Sequence, residues 1–279
     1  MVRYYHALWL LAVLFSCQNV SSHGVKDDED ANKPELIEVA AIQELIDSLK
    51  LKGAVLIYDM TRNKYYSNDF KWSQKGQLPA STFKIPHSII ALETRVIKSE
   101  FDTLQWDGEP RYLPVWEQDL LFKEAFRYSC VPCYQSIAGR IGVERMKSHL
   151  TNLDFGEMKV DSSNLQEFWL VGESRINQFQ QINFLNKLIN SQLEISKRTE
   201  NIVKEIMILE KNDDYVLSGK TGWSNDGKDN GWFIGFVESS NRKLIFATNI
   251  EPLKGFDMDH FSNVRRELTI SALEIISAN

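Results

Sequence analysis

Across residues 35–50, apolar side chains recur at Leu36, Val39, Ala40, Ile42, Leu45, Ile46 and Leu49. That spacing of three and four predicts an amphipathic helix. The pattern then changes. Residues 53–59 and 64–67 are rich in Val, Ile and Tyr around Thr61-Arg62-Asn63, which predicts a hairpin. From residue 81 to about 209 the period is mostly helical. Strand-like runs return at 215–221, 232–237 and 243–250, separated by Asn225-Asp226-Gly227 and Ser239-Ser240-Asn241, and a last helical period covers 261–276. Early strands, a helical insert and late strands predict an α+β fold. It has one antiparallel β-sheet made from both ends of the chain, flanked by terminal helices, with an all-helical lobe beside it. A small ligand is expected in the cleft between the lobes.

The first residues differ in kind. Arg3 precedes the apolar run Ala7-Leu8-Trp9-Leu10-Leu11-Ala12-Val13-Leu14-Phe15, which is shorter than the ~20 residues a bilayer span needs. It reads as a secretory signal peptide over residues 1–22, with cleavage after Ser22. The rival is cleavage before Cys17, where Leu14-Phe15-Ser16-Cys17 loosely resembles a lipoprotein box and would leave a lipid anchor. Residues 21–33 are polar and acidic and read as a flexible lead-in. The remainder, 23–279, is expected to be a single catalytic domain, with a sheet lobe at about 23–75 and 210–279 and a helical lobe at about 76–209. Export places the protein in the periplasm.

The 279 residues carry a formal net charge of −6, which argues against nucleic acid as a partner. Besides Cys17 the chain has two cysteines, Cys130 and Cys133. Such a pair is a redox motif, half of a metal site, or two small apolar residues. The few histidines show no ligand spacing, so no metal is expected, and the third reading is adopted. His87 and His260 read as structural or solvated.

Ser81-Thr82-Phe83-Lys84 carries the chemistry. Positions i and i+3 share a helix face, so Lys84 Nζ reaches Ser81 Oγ. A serine hydroxyl needs a base, and a lysine is one only when neutral, far from its ordinary value of roughly 10.4. Burial disfavours the charge and supplies that condition. Two further blocks follow in order, Ser129-Cys130-Val131 and Lys220-Thr221-Gly222-Trp223. This order is the one found in penicillin-recognising serine enzymes.

From about residue 53 onward the chain resembles the class D serine β-lactamases, the oxacillinase family. The likeness rests on Trp72-Ser73, Pro79 to Lys84, Trp116-Glu117-Gln118-Asp119, Tyr128 to Gln135, Phe168-Trp169-Leu170, Lys220 to Trp223, Gly231 to Gly235, and Arg265. It implies the fold of penicillin-binding proteins and serine β-lactamases, and hydrolysis of the β-lactam amide through a serine acyl-enzyme, conferring antibiotic resistance. The roles it implies are as follows. Ser81 is the nucleophile. Lys84 is N-carboxylated, so that carbon dioxide or bicarbonate is needed but no other cofactor. Ser129 relays a proton to the leaving nitrogen. Lys220, Thr221 and Arg265 hold the substrate carboxylate. The Ser81 and Trp223 amides bind the oxyanion, Gly222 leaves room for close substrate approach, and Trp169 offers its indole N–H to the carbamate. Val131 is an apolar wall, and Trp116 and Leu170 line the side-chain pocket. One position departs: Glu157 stands where the family usually has asparagine. An ionised carboxylate only accepts hydrogen bonds, so Glu157 is given no catalytic role. The expected partners are small β-lactams, with no required protein partner and homodimerisation left open. Three rivals are a β-lactam sensor and a D,D-peptidase-like penicillin-binding domain, each of which acylates without efficient turnover, and a degenerate family member that binds without turnover, which Glu157 keeps open.

Overall fold

The computed structural model describes residues 33–278. The apolar leader and Cys17 lie outside the described residues. The chain forms β1 (Glu35–Glu38), α1 (Ala40–Ser48), β2 (Leu51–Asp59), β3 (Lys64–Ser67), α2 (Phe70–Ser73) and α3 (Lys84–Glu93). Next come β4 (Thr103–Leu104), β5 (Leu120–Leu121), α4 (Phe122–Arg127), α5 (Val131–Ile141), α6 (Val143–Leu153), α7 (Gln178–Ile189) and α8 (Lys197–Ile206). The last elements are β6 (Ile208–Lys211), β7 (Tyr215–Ser224), β8 (Asn230–Ser239), β9 (Lys243–Pro252) and α9 (Phe261–Ser277). A seven-stranded sheet runs β1-β3-β2-β9-β8-β7-β6, antiparallel except between β1 and β3. Its central pair, β2 and β9, joins the two ends of the chain, as the pattern predicts.

Two segments differ from expectation. The helix predicted from residue 35 begins at Ala40, because Glu35–Glu38 pairs in parallel with Lys64–Ser67 and shields the edge of β3. Four residues are too few for a helical period to be told from a strand. Only Ile42 and Ile46 of α1 are fully buried, one turn apart. The helical period also runs too far at the other end. Ile208–Lys211 forms an edge strand on β7.

Each sheet face has its own core. Ile42, Ile46, Val55, Ile57, Phe246 and Leu268 fill the layer under α1 and α9. Leu56, Trp232, Ile234, Ile245 and Ala247 face the other way, into a core shared with the helices from α3 to α8. The helical segment packs directly on the sheet: Gln178 Nε2 of α7 donates to the carbonyls of Ala54 (2.8 Å) and Ala247.

Helix α3 is the axis of the helical layer, buried from Lys84 through Leu92. His87 lies inside it, with the rings of Phe83, Tyr134 and Trp169 at 5.1–5.4 Å. Neither ring nitrogen of His87 has a hydrogen-bond partner within the protein. Burial, and then the neighbouring Lys84, push its pKa down to about 3. Between about 3 and its ordinary 6.5 the unfolded state binds the proton and the folded state does not. Stability is therefore complete above that window and falls as the pH drops through it, by up to ~1.4 kcal/mol per pH unit. Urea titrations at pH 4 to 7 should show this slope in the wild type and a shallower one in His87→Leu.

Candidate active site

Ser81 sits on a strained turn held from several sides. Residues Ala80–Phe83 form a single 3-10 turn leading into α3. Ala80 has φ +51°, a left-handed conformation costing an alanine ~1–2 kcal/mol. Its N–H donates to Trp169 O at 2.8 Å. Thr82 Oγ1 donates to Pro79 O (2.6 Å) and accepts from Gln181 Nε2 of α7 (2.9 Å). Just upstream, Leu78 O accepts from Asn230 Nδ2 (2.9 Å) and Trp232 Nε1 (2.8 Å), both on β8. Asn249 Nδ2 supports Asn230 Oδ1 at 2.7 Å, and Trp72 Nε1 donates to Asn249 Oδ1 at 2.9 Å. Ser81 is thus fixed to the sheet by side chains distant in sequence.

Lys84 is fully buried, and its Nζ lies 3.1 Å from Ser81 Oγ. The ring of Tyr134 lies 4.9 Å from Nζ. Burial first, and the cation of Lys220 second, hold the amine well below the usual lysine range. Trp169 is wholly buried and stacks on Phe83 at 5.6 Å. Its indole Nε1 is a buried donor with no hydrogen-bond partner within the protein. Trp169 does not line the substrate-sized cavity; it belongs to the wall beneath Ser81.

Two further elements close on Ser81. Ser129, between α4 and α5, has φ +54°, and its Oγ accepts a short hydrogen bond from Lys220 Nζ on β7. Lys220 Nζ also donates to Thr221 O at 3.1 Å. Burial and the charge of Arg265 bring Lys220 down to about 7. Arg265, from α9, donates through Nη1 to Gly222 O and through Nη2 to Ser262 O at 2.9 Å, leaving Nε without a partner. Its stem crosses Gly231, where an added Cβ would lie 2.8 Å from Cδ. Gly222 lines the cavity and has a further use: a Cβ there would lie 3.2 Å from Pro79 O and from Thr82 N, so the missing side chain also admits the turn that carries Ser81.

A cavity of about 400 Å³ opens over Ser81, lined by Trp116, Ser129, Val131, Thr221, Gly222, Trp223 and Arg265. Ser81, Ser129 and the Lys220-Thr221-Gly222 strand therefore meet at one place, with Lys84 below. Tyr112, Leu113 and Asn225 also line it; Asn225 reads from the sequence only as a turn residue, and Tyr112 and Leu113 carry no sequence signal. Leu170 is absent from its lining and packs against the core instead. Glu157 makes a backbone bridge to Arg175, its side chain exposed and away from the site. His260 Nε2 lies 2.8 Å from a Glu267 carboxylate oxygen, away from the cavity lining.

The two cysteines are not a pair of separate apolar residues. Cys130 and Cys133 form a disulfide, with Cα atoms 5.4 Å apart. Cys130 is the N-cap of α5 and Cys133 closes its first turn, so the three-residue spacing stacks one above the other.

The family model described as the penicillin-binding protein transpeptidase domain matches residues 51–265. The β-lactamase OXA-48 of Klebsiella pneumoniae is 39% identical over 203 residues, which is 72% of this chain and 76% of that protein. The crystal structure of the class D β-lactamase YbXI from Nostoc is 38% identical, with a TM-score of 0.80 over 85% of this chain and 98% of that one. The class D β-lactamase from Sebaldella termitidis is 33% identical, with a TM-score of 0.84 over 88% and 99%. On sequence, fold and the order of its blocks, this chain belongs to the class D serine β-lactamases.

Proposed function

We propose that the chain hydrolyses the β-lactam amide of penicillin-type antibiotics through an acyl-enzyme on Ser81, and so confers resistance to them. The observation that carries this reading is a buried amine held toward neutrality 3.1 Å from a serine hydroxyl at the floor of an open cavity. A sensor or a peptidase-like binding domain shares the nucleophile but stops at acylation. The relatives' hydrolytic names and the apolar Val131 favour turnover.

The substrate carboxylate lies against Thr221 and Arg265, with Lys220 adding positive charge. The β-lactam carbonyl then faces Ser81, where the Ser81 and Trp223 amides are donors for the oxygen that becomes negative. Ser81 Oγ gives its proton to the side chain of Lys84 and attacks the carbonyl carbon. Ser129 passes a proton to the leaving nitrogen, and Lys220 restores it.

The surroundings of Lys84 fit an N-carboxylated lysine, since the amine is driven neutral and Trp169 Nε1 is a buried donor without a partner. When present, the carbamate supplies a general base for both acylation and deacylation. Residues 1–22 are read as the export signal, residues 23–279 as one catalytic domain in the periplasm, and Cys17 as the alternative, lipidated start. Among the described residues no helix is long and apolar enough to cross a membrane.

Three outcomes are expected. Ser81→Ala should stay folded, losing only its hydrogen bond with Lys84 at a cost of ~1 kcal/mol, and lose turnover. Intact mass after penicillin treatment should show one adduct on the wild type and none on the variant; an adduct on the variant moves the nucleophile elsewhere. Arg265→Ala should raise KM for a β-lactam acid by an amount equivalent to ~1.5–3 kcal/mol. It should leave the matching ester nearly unaffected, whereas equal losses for both would make Arg265 structural.

The third test concerns Lys84. In mildly acidic, degassed buffer the wild type should lose activity, accumulate acyl-enzyme, and recover with bicarbonate. Trp169→Ala should deepen the loss. Carbon-13 bicarbonate should give a carbamate resonance that is missing in Lys84→Ala. Full turnover without carbon dioxide and without that resonance would leave a free lysine as the base.

A further inference from the structure

The Cys130–Cys133 disulfide has no part in the chemistry above, yet it adjoins two of its residues. Cys130 follows Ser129, and Val131 lies between the two sulfurs in sequence. On one side of this loop, Ser129 and Val131 line the cavity over Ser81. On the other side lies a second cavity of about 410 Å³, bounded by Cys130, Pro132, Cys133, Trp106, Trp116 and Arg140. The disulfide therefore sits in a thin wall between two cavities. Trp116 borders both, and its Nε1 donates to Tyr128 O at 3.0 Å, next to Ser129.

The two sulfurs are not equivalent. Cys130 is buried, whereas Cys133 is partly exposed. The Cys133 N–H donates to Cys130 Sγ at 3.2 Å, at the amino end of α5. Such an end stabilises a thiolate. Besides the disulfide, the loop is held by packing of Cys130, Val131 and Cys133 on the core and by hydrogen bonds. Ser129 N–H reaches Phe126 O at 3.2 Å, Cys130 N–H reaches Ala125 O at 2.9 Å, and Tyr134 N–H reaches Cys130 O at 3.3 Å. Against these, Ser129 must keep the left-handed φ of +54° that aims its hydroxyl at Lys220. A non-glycine residue leaves that region unless its surroundings hold it there.

We propose that the Cys130–Cys133 disulfide is a thiol-exchange site reached from the second cavity, and that its oxidised form positions Ser129 for proton transfer during acylation. The reductant is a dithiol. Its thiolate attacks Cys133 Sγ and forms a mixed disulfide. The Cys130–Cys133 bond breaks, and its electron pair leaves on Cys130, which then takes a proton. The second thiol of the reductant displaces Cys133, which is protonated in turn. Two cysteine thiols and one oxidised dithiol result. Freed of the bond, the first turn of α5 and Ser129 move independently, and the hydroxyl leaves Lys220 for part of the time. This inference rests on the reading of Ser129 as the proton relay.

The test uses the intact enzyme with and without dithiothreitol. Alkylation and peptide mapping locate the free thiols, and stopped flow with a chromogenic β-lactam measures acylation. Reduction without denaturant should expose both Cys130 and Cys133 and slow acylation by about tenfold. Reoxidation should restore the rate, which separates this effect from unfolding. Cys130→Ala/Cys133→Ala should acylate at the reduced rate and ignore the reductant. Oxidised Ser129→Ala should be slow already and gain no further loss on reduction, the non-additivity expected when two groups act through one contact. Three results would each overturn the inference: thiols that appear only after unfolding, an unchanged rate in the reduced wild type, or a full reductant response persisting in Ser129→Ala. Wild-type acylation by oxidised Ser129→Ala would instead remove the relay reading, and this inference with it. Absence of acylation in the oxidised wild type would sink the β-lactamase reading itself.

Discussion

The desolvation of Lys84 is the constraint on which the other features of the site depend. Burying an ammonium costs several kcal/mol even after relaxation, so a lysine so placed gives up its proton unless an anion pairs with it. Around Lys84 lie the rings of Tyr134 and Phe83, neutral His87, and the cation of Lys220. Burial and the charge of Lys220 disfavour the ammonium and outweigh the support it finds in the Tyr134 ring face and Ser81 Oγ. The aromatic packing around α3 thus serves stability and chemistry together. It supplies apolar burial for the helical layer, and it holds the Lys84 amine well below the usual lysine range. His87 fits the same scheme, because a histidine pushed down to about 3 stays neutral and puts no second charge against the amine.

A base is useful only if the serine is held still beside it, since small misplacements of reacting atoms cost orders of magnitude in rate. The polar network of Leu78, Asn230, Asn249 and Trp72 serves that end. So do the bonds from Trp169 O and Gln181 to the turn around Ser81. Ala80 shows why so many are needed: one left-handed alanine just before Ser81 has to be over-determined by what surrounds it. Gly222 makes the arrangement possible from the sheet side, by letting β7 run against the turn.

Much of this was legible in the sequence where the signal was local. The three-residue spacing of Ser81 and Lys84, the change from a helical to a strand-like period, and the turn residues between β7, β8 and β9 all report geometry within a few positions. Properties that depend on distant partners were not. Glu35–Glu38 reads as helix because its pairing partner lies in β3. The use of Gly222 depends on Pro79 and Thr82, more than a hundred residues away in the chain. Trp169 was found through the family likeness, yet its burial beneath the cavity follows from packing alone. The cysteine pair was visible as a spacing, and was set aside because the same residues also suit a small apolar site.

The three cations of the site form a graded series in a chain whose formal net charge is −6. Arg265 is held at about 10 by burial and remains charged. Its charge helps bring Lys220 to about 7, and Lys220 in turn helps lower Lys84. Each step places a cation where the next is discouraged from carrying one. In the proposed mechanism an anionic substrate enters this series at Thr221 and Arg265. A carboxylate there offsets the repulsion from Arg265 and favours the protonated form of Lys220, the group bonded to Ser129. Lys84, buried beneath the cavity, keeps its desolvation whether or not substrate is present. Substrate binding thereby sharpens a division of labour already built into the free protein, with a proton donor assembled at Lys220 and Ser129 and a proton acceptor kept at Lys84.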